Sequence, residues 1–332
     1  MTTHPSSWVA AAAIAVGAVV GAGAPAPAEA QTEISFALHT TPPGPEFEAV
    51  DKFIELVEGR SDGRLTVRTY PAAVLGGERD NIEQLTVGEV SMTLNGDLLP
   101  NLLAPEYAAT VVPFVFPSPE EVFAFWDSPI GEEAKRTIEE RGGIVVAGFM
   151  RRGDRHLTAS REIRTPDDMQ GLKLRVPEIQ SWVTAWSEVG ARPTPVAWPE
   201  VFNALQMGVV DGQENPCFNI HQAKLYEVQD YLIYTGHLPA VWHWSISKQF
   251  LDGLSEEDRQ IVLDAVTEAA AYGDEVTKEQ IDETCTMLET EFGMEAIEPD
   301  RDAFWAQARP AIDELAAGWA PGVREAVEQY FE

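Results

Sequence analysis

The sequence predicts an α/β protein of two lobes with a ligand cleft between them, and three observations carry that prediction. Strand-period and helix-period segments alternate through the first half of the chain and again through the second. Two blocks, 85–90 and 205–210, share Leu-x-x-Gly-x-Val. In each, a helix ends on a glycine able to turn left-handed and a strand begins at once. Finally, 332 residues exceed the size at which one hydrophobic core usually divides.

The elements follow in order. Segment 8–24 is an apolar, Ala/Val-rich run and Ala28-Glu-Ala30 matches a small-x-small cleavage site, so 1–30 reads as a signal peptide cleaved near Ala30. Its one departure is an n-region without Lys or Arg. The run falls short of the about 20 apolar residues of a spanning helix. No later stretch is long and apolar enough to span, so no direct membrane insertion is expected after processing. Residues 34–38 alternate as a strand and lead through His39-Thr-Thr-Pro-Pro-Gly44 into a helix with Phe47, Val50, Ile54 and Val57 on one face. Strand 65–70 stops at Pro71. A helix opens at Leu75-Gly-Gly-Glu-Arg79 and closes at Gly88 before strand 90–94. Ser118-Pro-Glu-Glu121 reads as a capping box with proline at the first helical position.

The second unit comprises strand 172–176, a helix through Trp182, Trp186 and Val189, helix 199–207 and strand 209–213. Ser255-Glu-Glu-Asp258 then starts a long helix with Ile261, Val262, Val266 and Ala269 on one face, running through Met287 and Phe292. A short strand at 294–297 and a last helix carrying Phe304, Ala308, Ile312 and Leu315 complete the chain. Lobe I is placed at 31–152, completed by about 241–280; lobe II at 153–240, completed by about 281–332.

Composition narrows the function. The net charge of −31 makes nucleic acid and anionic membrane surfaces poor partners. The 45% hydrophobic content and nine tryptophans are those of a well-cored globular chain. An acidic background also repels anions, so binding one would need a local arginine cluster. Cys217 and Cys285, the only cysteines, form neither a disulfide framework nor a metal pattern; they either pair or Cys217 is a small buried apolar residue.

Two motifs point to chemistry. Gly171-Leu-Lys-Leu-Arg-Val-Pro177 and Val210-Asp-Gly-Gln-Glu-Asn-Pro216 each read as a buried strand that delivers one polar group, Arg175 and Asn215, to a turn. A guanidinium offers a carboxylate two parallel hydrogen bonds, and burying it without an anion is expensive. A ligand is the natural anion. The alternatives are an interlobe salt bridge for Arg175 and a turn asparagine bonding its own backbone for Asn215. Trp198 lies in Pro195-Val-Ala-Trp-Pro199, too proline-rich to bury as a regular element, and reads as a pocket wall. Trp242, His243 and Trp244 fit a hinge, a pocket rim or core equally, and Trp182 with Trp186 reads as core. His237 and His243 give weak support for a metal, having no third ligand nearby. No His-Glu-x-x-His, Gly-x-Ser-x-Gly or phosphate-cradling loop is present.

The block Thr165-Pro-Asp-Asp-Met-Gln-Gly-Leu-Lys-Leu-Arg-Val-Pro177, with Gly190-Ala-Arg-Pro-Thr-Pro195, Glu200-Val-Phe-Asn-Ala-Leu-Gln206 and 208–216, resembles the solute receptors of TRAP (tripartite ATP-independent periplasmic) transporters. Tyr70-Pro-Ala-Ala-Val-Leu-Gly-Gly-Glu78 and Tyr226-Glu-Val-Gln229 fit as well, so the resemblance covers the whole mature chain. It implies a two-lobed periplasmic-binding-protein fold, hinge closure over an organic acid anion, and hand-over to a membrane permease. By this resemblance Arg175 matches the main carboxylate-binding arginine and Arg155 a second basic position facing the ligand. Asn215 holds the carboxylate from the side, Trp198 is an aromatic wall, and His39 and Glu78 contact ligand from the first lobe. Residues near Asn95 belong to the same group, and Glu178 occupies a variable position that selects against a second carboxylate or binds a hydroxyl or amine. The reading is a periplasmic receptor, not an enzyme, with no catalytic residue, metal or cofactor. The ligand is left among C4-dicarboxylates, hydroxy- or keto-acids and sugar acids, leaning to a monoanionic hydroxylated acid. An exported enzyme acting on a small carboxylate and a ligand-sensing subunit of a signalling system are the alternatives.

Overall fold

The structure, a computed structural model, describes residues 31–330; the expected signal peptide at 1–30 lies outside them. Among the described residues nine strands form one sheet: β1 (Thr32–Ala37), β2 (Leu65–Tyr70), β3 (Met92–Asn95), β4 (Ile144–Ala159), β5 (Lys173–Val176), β6 (Arg192–Pro195), β7 (Gly212–Asn215), β8 (Tyr231–Ser247) and β9 (Glu295–Ile297). The order is β2-β1-β3-β8-β4-β7-β5-β6, with β9 on β8. At one end β2, β1 and β3 are parallel, and at the other β7, β5 and β6 are parallel. Helices cross over between parallel neighbours, which puts the carboxyl ends of these strands toward the middle of the molecule.

The sequence reading placed no strands at 144–159 or 231–247. They are the two longest in the molecule, and they pair antiparallel from Ile144↔Ser247 to Ala159↔Tyr231. One half of β8 pairs with β3 and the far end of β4 with β7, so both strands run through both halves of the sheet. Nearly all of β8 is buried, which erases the polar/apolar alternation that marks a half-exposed strand. The ladder is interrupted between Val146/Gly148, Arg151/Gly153 and Arg155/Leu157. At the middle interruption Gly153 has φ +108, a conformation side chains rarely adopt, and a Cβ there would lie 2.8 Å from Ile281.

The glycines of the repeated block behave as the sequence predicts. Helix Glu78–Val87 ends on Gly88 (φ 75), and Gly208 (φ 66) follows helix Val201–Gln206. Pro193 and Pro195 are accommodated because β6 is an edge strand that is not buried, and the proline-rich segment 195–199 beyond it is only partly covered. The Ser118 capping box does not close on the backbone; its hydroxyl bonds the Glu121 carboxylate.

The long helix is Glu256–Thr290, capped by Ser255 accepting from the Asp258 N–H. Its first half packs Val262, Ala265, Val266 and Ala269 into a core with Phe36, Phe53 and Trp244. Its second half puts Cys285 and Leu288 into another core with Val201, Leu205, Ile220 and Leu232. A single rod thus braces both ends of the sheet. Cys285 is joined to Cys217 by a disulfide, deciding the question that the sequence left open. A third core holds Phe114, Trp126, Trp182, Trp186 and Phe304.

Candidate functional site

The strand ends converge on one tight cavity of about 30 Å³, lined by His39, Glu78, Asp97, Arg152, Arg155, Arg175, Ile179, Trp198 and Asn215, among others. His39 follows β1, Glu78 opens the helix after β2, Asp97 follows β3, Arg175 sits near the end of β5 and Asn215 ends β7. These are the carboxyl ends of parallel strands, where an open α/β sheet places its ligands.

Six of the eight candidates from the sequence therefore share one cavity: His39, Glu78, Arg155, Arg175, Trp198 and Asn215. The other two do not. Asn95 is fully buried beneath the floor, its amide atoms without protein partners and its carbonyl against His243 Nδ1 at 3.2 Å; the next residues reach the cavity instead. Glu178 faces an outer vestibule and stands 3.5 Å from Arg79, at the rim.

Arg175 is 3% exposed, and no carboxylate lies within ion-pair distance of it among the described residues. Its Nε and Nη2 both donate to the Val196 carbonyl, at 2.9 and 2.7 Å, which fixes one edge of the guanidinium. Nη1 makes no protein hydrogen bond among the described residues, Arg175 lines the cavity, and the Trp198 ring centre is 5.8 Å from the guanidinium carbon. Burial, with Arg155 and Arg152 nearby, pushes its pKa down to about 10, so it is charged at neutral pH. The alternative of an internal salt bridge does not hold for Arg175.

It does hold for Arg155. Nε binds Glu214 Oε2 at 2.6 Å and Nη1 binds Asp97 at 3.1 Å, while Nη2 reaches the Glu214 carboxylate, its carbonyl and Asn215 Oδ1 at 2.9–3.0 Å. Burial opposes its charge, but Glu214 and Asp97 outweigh that and hold the guanidinium above its ordinary value. Arg155 lines the cavity with most of its hydrogen bonds already made inside the protein.

Asn215 is not a turn residue bonding its own backbone. It accepts from Arg155 and donates to Gln213 Oε1 at 2.7 Å; Gln213 donates to Thr158, and Thr158 donates to Gln229. This buried relay locks the amide, leaving one Nδ2 hydrogen for the cavity. Glu214, also bonded to His237 at 3.1 Å, anchors the network and had no signal in the sequence beyond its place between Gln213 and Asn215.

Arg152 is the largest omission from the candidate residues named from the sequence. It is 7% exposed, lies 4.1 Å over the Trp242 ring and donates Nε to Asn219 Oδ1 at 2.9 Å. A regular strand puts residues i and i+3 on opposite faces; the bulge at 151–153 turns Arg152 to the side of Arg155. Glu78 accepts from the Gly96 N–H at 2.7 Å, and burial raises its carboxyl to about 7 against the pull of Arg152. His39 is held neutral, its pKa lowered to about 3 by burial and by Arg152 and Arg175, and its Nδ1 has no protein partner. Burial also lifts Asp97, with Arg155 and Arg152 pulling the other way. With Glu78 protonated, the guanidiniums of Arg152, Arg155 and Arg175 outnumber the carboxylates of Asp97 and Glu214 by one, which makes the cavity electropositive inside an acidic protein.

A two-lobed α/β fold with an arginine-rich crevice at its strand ends, braced by long C-terminal helices, defines a solute-binding receptor. Residues 36–318 match the bacterial extracellular solute-binding protein family 7, and the chain belongs to that family. A solute-binding protein of Roseobacter denitrificans is 38% identical over 85% of this chain and 86% of its own. Its solved structure, a TRAP periplasmic solute binding protein with bound L-galactonate, superposes with a TM-score of 0.85, covering 92% of this chain and 100% of that one. Similar too are the TRAP periplasmic solute binding proteins of Bordetella bronchispeptica, with density assigned to pantoate (TM-score 0.84, 32% identity, 90% and 98% covered), and of Polaromonas, bound to D-erythronate (0.83, 27%, 90% and 98%). Among the described residues no helix is long and apolar enough to cross a membrane.

Proposed function

We propose that this receptor captures a hydroxylated monocarboxylate, a sugar acid, outside the cytoplasm and delivers it to a TRAP-type membrane permease. The observation that carries the ligand class is Arg175: a buried guanidinium lining the cavity, with Nε and Nη2 on the Val196 carbonyl and no carboxylate within ion-pair distance among the described residues. Burying such a charge unpaired is costly, and a ligand carboxylate on the free edge removes the cost through two charge-assisted bonds. Asn215 donates its remaining N–H to the same carboxylate, Trp198 covers it, and His39 and Glu78 contact the rest of the ligand from the opposite wall.

The choice of a monoanion rests on charge. With Glu78 protonated, Arg152, Arg155 and Arg175 against Asp97 and Glu214 leave one excess positive charge, which one carboxylate matches; a second would find no cation left over and would meet Glu178 at the rim. L-galactonate, pantoate and D-erythronate, the ligands of the similar receptors, are all hydroxylated monocarboxylates. The receptor is not an enzyme in this reading. Residues 1–30 act as the export signal, cleaved near Ala30. Lobe I is 31–152 with about 241–280, and lobe II is 153–240 with about 281–332. Contacts from both walls favour the closed form and so couple capture to closure.

The test is calorimetry with C4–C6 aldonates and uronates against succinate and malate. At least one monocarboxylate is expected to bind at micromolar or tighter Kd, with Arg175→Lys weakening it 100-fold or more because an ammonium cannot reproduce the planar fork. Tighter binding of the dicarboxylates, or unchanged affinity in the lysine variant, would refute this reading.

A further inference from the structure

We infer that Arg152 is a specificity-determining residue, reading a ligand hydroxyl together with Glu78 across Gly96 at the wall facing Arg175. The inference rests on the proposed function and assigns a role that the carboxylate-binding pattern of Arg175 and Asn215 does not contain.

Arg152 is buried, yet only its Nε has a protein partner; its two Nη groups bond no protein atom among the described residues. Among the described residues no acid lies within ion-pair distance, although Asp97, Glu78 and Glu46 are near enough to favour its charge. Stacking on Trp242 fixes the plane of the guanidinium. Gly96 fixes its depth. A Cβ on Gly96 would stand 2.7 Å from Arg152 Nη1 and 3.6 Å from both Glu78 carboxylate oxygens, so the missing side chain is what lets the two groups share this spot. Glu78 is held from the other side by the Gly96 N–H. The result is a donor-only group and an acceptor, both rigid, bordering the same cavity without being bonded to each other.

A hydroxyl is the group that satisfies both at once, accepting from Arg152 and donating to Glu78. A second carboxylate would be welcomed by Arg152 and repelled by Glu78. A methylene would leave both unpaired in a buried place, which is why such a site rejects analogues lacking the hydroxyl more strongly than an apolar pocket rejects extra bulk.

The experiment is a cycle between ligand and protein. Binding of a galactonate that the wild type accepts, and of its single-deoxy analogues, is measured by calorimetry for wild type, Arg152→Met and Gly96→Ala. In the wild type one deoxy analogue is expected to bind about 10- to 100-fold more weakly than the parent, as for a hydrogen bond to a charged group. In Arg152→Met the same analogue and the parent bind within threefold. Gly96→Ala keeps the charge but pushes Nη1 aside, and shows the same loss of discrimination; it serves as the readout if the methionine variant folds poorly. If every deoxy analogue loses as much in both variants as in the wild type, Arg152 reads no hydroxyl and this inference falls alone. If the wild type binds no aldonate or uronate at all, the proposed function falls with it.

Discussion

Arg155 and Arg175 lie in the same cavity, but their chemical situations are opposite. Arg155 is surrounded by its own acids, so removing it strands Glu214 and Asp97 in the interior. Arg155→Met is expected to destabilise the ligand-free protein by about 3–5 kcal/mol in urea unfolding. Arg175→Met removes a charge that nothing inside neutralises, and is expected to leave stability unchanged or raise it by about 1–2 kcal/mol while abolishing binding. Equal losses in the two variants would show that Arg175 is satisfied within the protein after all. Glu78 adds a proton to the scheme. Its carboxyl, near 7, faces Arg152, Asp97 and the N–H groups of Gly96 and Leu98, with Glu46 beyond Arg152. An anion bound at Arg175 disfavours ionised Glu78 and lifts its pKa further. Binding above pH 7 should therefore take up protons, and affinity should fall as pH rises. Calorimetry in buffers of different ionisation enthalpy measures the uptake, and Glu78→Gln should abolish it; proton release would contradict the assignment.

At the scale of elements, the disulfide connects the short helix Cys217–Gln222, just after Asn215, to the long brace. Its closure shortens a loop of 68 residues in the unfolded chain. The Cys217→Ser/Cys285→Ser variant should lose about 2–4 kcal/mol in urea unfolding. The half-exposed elements were legible in the sequence because each carries a clear period and a turn residue at its end. Gly88 and Gly208 stopped their helices where the motif placed them, and Arg175 and Asn215 could be read because buried strands deliver them to turns. β4 and β8 could not be read: burial removes the alternation of β8, while Gly148, Gly153 and the arginines break up β4. The same interruption hid Arg152, since a period of two assigns it to the wrong face. Asn95 was close in sequence to the cavity but is buried two residues before Asp97, which lines it, and Glu178, between the lining residues Pro177 and Ile179, turns its side chain to the rim.

The molecule as a whole is strongly acidic, with a net charge of −31, yet its cavity favours anions. Affinity is decided at short range, whereas approach is governed by the long-range field. The association rate for a sugar acid should therefore rise with added salt, as repulsion by the surface is screened over a Debye length of about 8–10 Å near physiological ionic strength. Stopped-flow tryptophan fluorescence across a salt series measures it; a falling rate would mean that the cavity's own field dominates the approach.

The interrupted ladder of β4 and β8 has one more consequence. Two strands that traverse both halves should resist bending wherever their pairing is regular, and flexion is expected at the gaps near 146–148, 151–153 and 155–157. Arg152 sits inside one of those gaps and Arg155 borders another. On that expectation the joint of the molecule and its grip would be built from the same few residues, and a guest held by these side chains would stiffen the backbone on which the lobes swing.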